Sequence, residues 1–90
     1  MDNRSGKRRE DGRWQVYTGA GYQKLEDLPI HTRPVAMNYL SASDLREELE
    51  YTTERSKKLA VLGNYEEAKK YAVIADELEE YIANGGDKHG

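Results

Sequence analysis

The side chains able to do acid–base, nucleophilic or metal chemistry are few in this sequence. Its 90 residues include no cysteine and two histidines. His31 stands between Pro29 and Pro34 without an acidic partner at a suggestive spacing, and reads as a loop side chain. His89 sits in the glycine-rich stretch that closes the sequence. Neither has the company that a metal site or a catalytic pair needs. "GAG" at 19–21 lacks the lysine and hydroxyl residue of a phosphate-binding loop and reads as a turn. No serine lies in a Gly-x-Ser-x-Gly setting. Most carboxylates fall on helical surfaces, and two of them have lysine four residues on, Glu54 with Lys58 and Glu66 with Lys70. Such pairs contribute about 0.2–0.5 kcal/mol each. The expectation is a chain that is not an enzyme and needs no metal or cofactor.

Two charged groups are less ordinary. Lys7, Arg8, Arg9 and Arg13 precede Trp14, with Arg4 just upstream and Glu10 and Asp11 interrupting. Basic residues beside an aromatic ring can hold phosphates and stack on a base. They can equally form a solvated tail, or dock on the protein's own acidic helix. The second group is Asp76, Glu77, Glu79 and Glu80, near the end of a helical pattern, where the helix dipole is already negative. No lysine follows within that pattern to offset them, whereas the preceding helix ends on Lys57 and Lys58. A local preference kept on one helix and broken on the next points to function. Solubility is the plainer reading.

The elements that position these groups are clearest in the second half. Ser41 or Ser43 offers an N-cap, with Asp44 at the positive end of the helix. Leu45, Leu49, Thr52, Ser56, Leu59 and Gly63 then recur in alternating steps of four and three, one face of a helix. Gly63 reads as a stop and Asn64 as the next cap. Ala68, Tyr71, Ala75, Leu78 and Ile82 repeat the spacing before Asn84, Gly85 and Gly86 end it. Folded antiparallel, the two stripes pair as Leu45 with Ile82, Leu49 with Leu78, Thr52 with Ala75, Ser56 with Tyr71 and Leu59 with Ala68. The centre of that register falls between Gly63 and Asn64, where the turn signals independently place the loop.

The middle of the seam is small, so the hairpin buries too little area to offset the entropy of ordering it. Tyr71, Ile74, Leu78 and Tyr81 form a second apolar stripe beside it. That stripe is core, covered by residues 14–40 or by a second copy of the chain, or else it is a partner-binding face. Trp14, Val16, Tyr17, Tyr22, Leu25, Leu28 and Ile30 are available as cover from within.

The first half is less regular. Residues 1–13 read as a mobile charged tail. Residues 14–40 form an irregular aromatic-containing segment in which 13–18 and 22–25 can pair as a short β-hairpin. Leu28 to Pro34 is expected to be extended, and Pro34 can open a helical turn through Leu40. Residues 41–84 make the helical hairpin, and 85–90 read as a disordered tail.

"GNYEEAKKYAVIADEL" resembles the middle of a tetratricopeptide repeat, with Gly63, Tyr65, Ala68, Tyr71 and Ala75 in matching places and Ser56 at the small position of the preceding helix. The match spans about 30 of the 90 residues and a single repeat. Arg55 and Ala72 stand where that family prefers a large apolar and an aromatic residue, and its proline after the second helix is missing. Microtubule-interacting-and-trafficking helices share much of the pattern. The resemblance implies a protein-interaction module. A lone repeat does not build the family's concave groove, which needs stacked neighbours.

Composition narrows the rest. Mean hydropathy is -0.99 and the net charge is -3. Residues 1–34 carry seven basic and five acidic side chains, net +2, and residues 35–90 carry seven and twelve, net -5. No apolar run approaches the roughly 18 residues of a membrane span. No secretory signal is evident, and a cytoplasmic location is expected, without a membrane partner. The fold expected is mainly α: an antiparallel two-helix hairpin preceded by an irregular segment with room for a short β-hairpin. The function expected is that of a non-enzymatic interaction or regulatory protein, an adaptor or inhibitor, binding a larger protein's basic surface through Tyr71, Ile74, Asp76, Glu77, Glu79, Glu80 and Tyr81. The alternative is a nucleic-acid accessory protein using Arg4, Lys7, Arg8, Arg9, Arg13 and Trp14 while the hairpin dimerises. A homodimeric four-helix arrangement is one way to complete the thin core.

Overall fold

A computed structural model of the chain describes residues 6–19 and 21–85. Three short strands, β1 (Lys7–Glu10), β2 (Arg13–Tyr17) and β3 (Tyr22–Gln23), form an antiparallel sheet in the order β1-β2-β3. A 3₁₀ turn at Leu25–Asp27 follows, then helices α1 (Arg33–Met37), α2 (Ala42–Val61) and α3 (Tyr65–Ala83). The chain is mainly α, as its periodicity predicts. Among the described residues no helix is long and apolar enough to cross a membrane.

The expected pairing of 13–18 with 22–25 is found as β2 with β3, in which Val16 faces Gln23 and Tyr17 faces Tyr22. The expected tail of residues 1–13 is corrected over 7–13. Lys7 to Glu10 pair with Val16 to Arg13 across a two-residue turn at Asp11 and Gly12. Both turn residues have positive φ, 54° and 77°, the backbone of the tight turn that suits the twist of a hairpin. Asp-Gly between two short runs is the signal for this turn, and the surrounding charge obscures it. Residues 1–5 and 86–90, with Arg4 and His89, lie outside the described residues.

Pro34 occupies the first turn of α1, where its missing N–H costs nothing. Ser41 caps α2 in a capping box: its hydroxyl accepts from the Asp44 N–H at 3.2 Å and its own N–H donates to Asp44 at 3.0 Å. At the other end Gly63 takes φ 86°, a left-handed value that favours glycine. Asn64 accepts from the Glu67 N–H as the cap of α3.

α2 and α3 pack antiparallel, and Leu45, Leu49, Leu78 and Ile82 join one apolar cluster. Leu59 and Ala68 meet in a second cluster near the turn. The Ser56 hydroxyl donates to the Ala68 carbonyl at 2.8 Å, while Tyr71, expected opposite Ser56, sets its ring against Tyr51, edge to face. The cover for the hairpin comes from the chain itself. Val16, Leu25, Leu28, Ala36, Met37 and Leu40 close over Leu45, Ile74 and Leu78. Tyr17 and Ile30, also expected as cover, are exposed; α1 supplies Ala36 and Met37 in their place. The need for a second chain to complete the core is thus met within one.

Candidate interaction surface on the helical hairpin

The basic cluster before Trp14 is bound internally. Lys7 and Arg9 are two residues apart on β1 and so share a face. Arg9 sits opposite Trp14 in the ladder, and both cations lie over the indole, 4.8 and 4.4 Å from its centroid. From there Lys7 reaches Asp44 and Arg9 reaches Glu47, each at 2.6 Å. The indole N–H donates to Glu47 at 3.3 Å. Arg8, on the other face, meets Tyr22, Gln15 and Glu10. The acidic helix that receives β1 is therefore α2. Burial alone would raise the Asp44 carboxyl; the Lys7 ammonium and the bonds from Ser41 outweigh it and hold it below the ordinary carboxylate value.

Arg13 lies deeper. Its guanidinium bonds Glu26 through two nitrogens, both at 2.8 Å, and Glu48 at 2.8 and 3.4 Å. One face of it stacks on Tyr51, 3.8 Å from the ring centroid. The Trp14 N–H donates to Glu48 and the Tyr71 hydroxyl to Glu26. Burial opposes every charge in this group. The Arg13 bonds and charge nevertheless hold Glu26 below its ordinary value, and the two carboxylates keep Arg13 firmly protonated, its pKa raised. Tyr71 is pushed up, first by burial and then by the Glu26 charge. All four carboxylate oxygens have donors. The chemistry of the cluster is that of a clamp joining β2, the 3₁₀ turn, α2 and α3.

The residues expected on the partner-binding face divide. Ile74 and Tyr71 are buried in the core, which corrects their assignment: Ile74 is covered by Val16 and α1, and Tyr71 packs with Tyr51 and Leu59 of α2. Tyr81 is half-buried against the same core, its hydroxyl bonded to Asn38. Glu77 accepts from Arg33 at 2.5 and 3.0 Å, and Arg33 also donates to the Leu28 carbonyl. Thus a cation does offset one charge at the end of α3, and it comes from α1 rather than from the helix itself. Asp76, Glu79 and Glu80 remain exposed, and among the described residues none of them forms an ion pair.

These three carboxylates form a ridge between two shallow grooves. On the α1 side, Pro34, Met37, Glu77, Glu80, Tyr81 and Asn84 line about 200 Å³. On the α2 side, Asp76 and Glu79 border about 250 Å³ with Thr53, Ser56, Lys57, Ala72 and Ala75. A second exposed surface was not read from the sequence. Val61, Leu62 and Tyr65, at the hairpin turn, are 86, 75 and 70% exposed. Their places outside the seam register were the available signal. No group of three or more metal-binding side chains is assembled among the described residues.

Comparison with family models, curated proteins and solved structures finds no match for this chain.

Proposed function

We propose that the chain is a non-enzymatic interaction or regulatory protein, of the adaptor or inhibitor kind, whose α3 ridge binds a basic surface on its partner. The observation that carries this reading is the standing of Asp76, Glu79 and Glu80. They are exposed and form no ion pair among the described residues, on the turns where the helix dipole makes negative charge unfavourable. The hydrophobic core does not need them, and the grooves beside them give a partner's side chains somewhere to sit. The resemblance of the hairpin to a single tetratricopeptide repeat agrees with an interaction module. The lack of cysteine suits a reducing compartment such as the cytoplasm.

The nucleic-acid alternative gains no support, since Lys7, Arg8, Arg9 and Arg13 are engaged by the chain's own carboxylates. The test is affinity capture from the host with the wild-type chain and with Glu79→Lys/Glu80→Lys. The variant is expected to lose the captured partner, and undiminished capture at low salt would overturn the reading.

A further inference from the structure

Ten of the described basic side chains form two contrasting sets. Lys7, Arg8, Arg9, Arg13 and Arg33 each bond a carboxylate. Arg55, Lys57, Lys58, Lys69 and Lys70, around the α2–α3 turn, bond none among the described residues; even the expected Glu54–Lys58 and Glu66–Lys70 pairs are not made. From Glu54 to Lys70 these five stand with Glu54, Glu66 and Glu67, a net charge of +2. The same turn carries Val61, Leu62 and Tyr65, the most exposed large apolar side chains among the described residues. The tip of the hairpin is therefore an apolar knob in a basic collar.

Its complement is on the same chain. The ridge of Asp76, Glu79 and Glu80 is opposite in sign, also unpaired, and edged by a groove with Pro34, Met37 and Tyr81 in its walls. The apolar tip and the ridge do not meet within one molecule. The ridge begins 12 residues and ends 16 residues beyond Asn64, about 18–24 Å along the helix at 1.5 Å per residue. Of the collar, Lys57 borders the α2-side groove beside Asp76 and Glu79 without an ion pair to either, so these carboxylates stay open to a further cation.

We propose that a second copy of this chain occupies the ridge: the tip of one molecule docks there, its basic collar against the carboxylates and Val61 and Leu62 against the groove wall. This deepens the preceding reading, on which it rests, by naming the partner of the same surface. An anionic lipid surface would suit the tip but would leave the ridge unanswered; a second copy answers both. The contact is heterologous, using different patches on the two molecules, so each docked molecule still presents one open patch and the assembly grows head to tail.

Sedimentation of the full chain across micromolar to millimolar concentrations tests this. At low salt the average mass is expected to rise with concentration, and at high salt to fall back to the monomer. Val61→Asp/Leu62→Asp, at the tip, and Glu79→Lys/Glu80→Lys, at the ridge, should each stay monomeric with an unchanged circular dichroism spectrum. Mixed together they retain one good tip and one good ridge, and should form a 1:1 complex that grows no further. A monomer at all concentrations in low salt overturns the proposal, as does association that either variant leaves intact. So does tip-dependent binding to phosphatidylserine vesicles without self-association. If self-association is absent while Glu79→Lys/Glu80→Lys still abolishes host capture, the ridge binds a different protein and only this inference fails. If capture is unaffected as well, both fail.

Discussion

Arg13 and Glu48, 35 residues apart in the chain, meet at 2.8 Å with side chains almost shut off from water. Removing one partner of such a pair strands the other's charge in a poorly solvated place. Arg13→Met leaves both Glu26 and Glu48 without their cation and is expected to lose about 3–5 kcal/mol of stability. Urea unfolding measures it. Arg13→Met/Glu26→Gln/Glu48→Gln should recover part of the loss, because no uncompensated charge then remains.

Low pH attacks the same interactions. Glu26 and Asp44 both titrate below their ordinary values in the folded chain. The unfolded chain therefore takes up their protons first, and stability present above about pH 4 falls as the pH drops through and below the carboxylate range. Tyr71 acts in the opposite direction. Its raised pKa contributes stability that holds below about pH 10 and disappears as the pH climbs past the folded value. Thermal melts from pH 2 to 11 should show a plateau with both shoulders. Glu26→Gln should shift the acid shoulder, and Tyr71→Phe should flatten the alkaline one.

Gly63 and Gly6 test two different demands on glycine. At Gly63, φ is 86° and an added methyl would touch nothing within 4 Å. Gly63→Ala therefore has only the conformational cost, about 1–2 kcal/mol. At Gly6, φ is 90° and the methyl would lie 2.6 Å from the Tyr39 ring. Gly6→Ala should cost more, and a double-mutant cycle with Tyr39→Ala should show coupling above about 0.5 kcal/mol. Coupling near zero would mean that the ring does not rest on Gly6 in solution.

Arg33 ties α1 to the acidic end of α3 through Glu77. A cycle of Arg33→Met and Glu77→Gln should give a coupling energy of about 1–3 kcal/mol. The single variants should loosen α1, which hydrogen exchange at Ala36 and Met37 would report.

The helical hairpin was legible because two kinds of signal coincided: a three-four spacing of apolar residues on either side, and a stop–start pair at Gly63 and Asn64. β2 and β3 were legible through alternation and a glycine turn. β1 was not, since four charged residues with no apolar face read as solvated chain. What orders them is the ladder to β2 across the Asp11–Gly12 turn, together with long-range pairing of Lys7 to Asp44 and Arg9 to Glu47; the turn alone was a local signal. The carboxylates of α2 illustrate the same limit. Glu47 and Glu48 are neighbours in sequence, yet one is exposed and the other buried on Arg13. Of the face assigned to a partner, Asp76, Glu79 and Glu80 stay on the surface, whereas Ile74 is core beneath α1 and Tyr71 is core against Tyr51. Sequence spacing showed two apolar stripes on α3 without showing which would be covered.

Chain connectivity also sets an order of assembly. The two long helices are separated by three residues, so closing the loop between them is cheap, and their contacts can form early. Arg13 can reach Glu48 only after that helix exists and the intervening strand, turn and α1 have come round. The guanidinium clamp is thus a late event in folding, and its loss should chiefly quicken unfolding while leaving the initial collapse of the helix pair at its own pace.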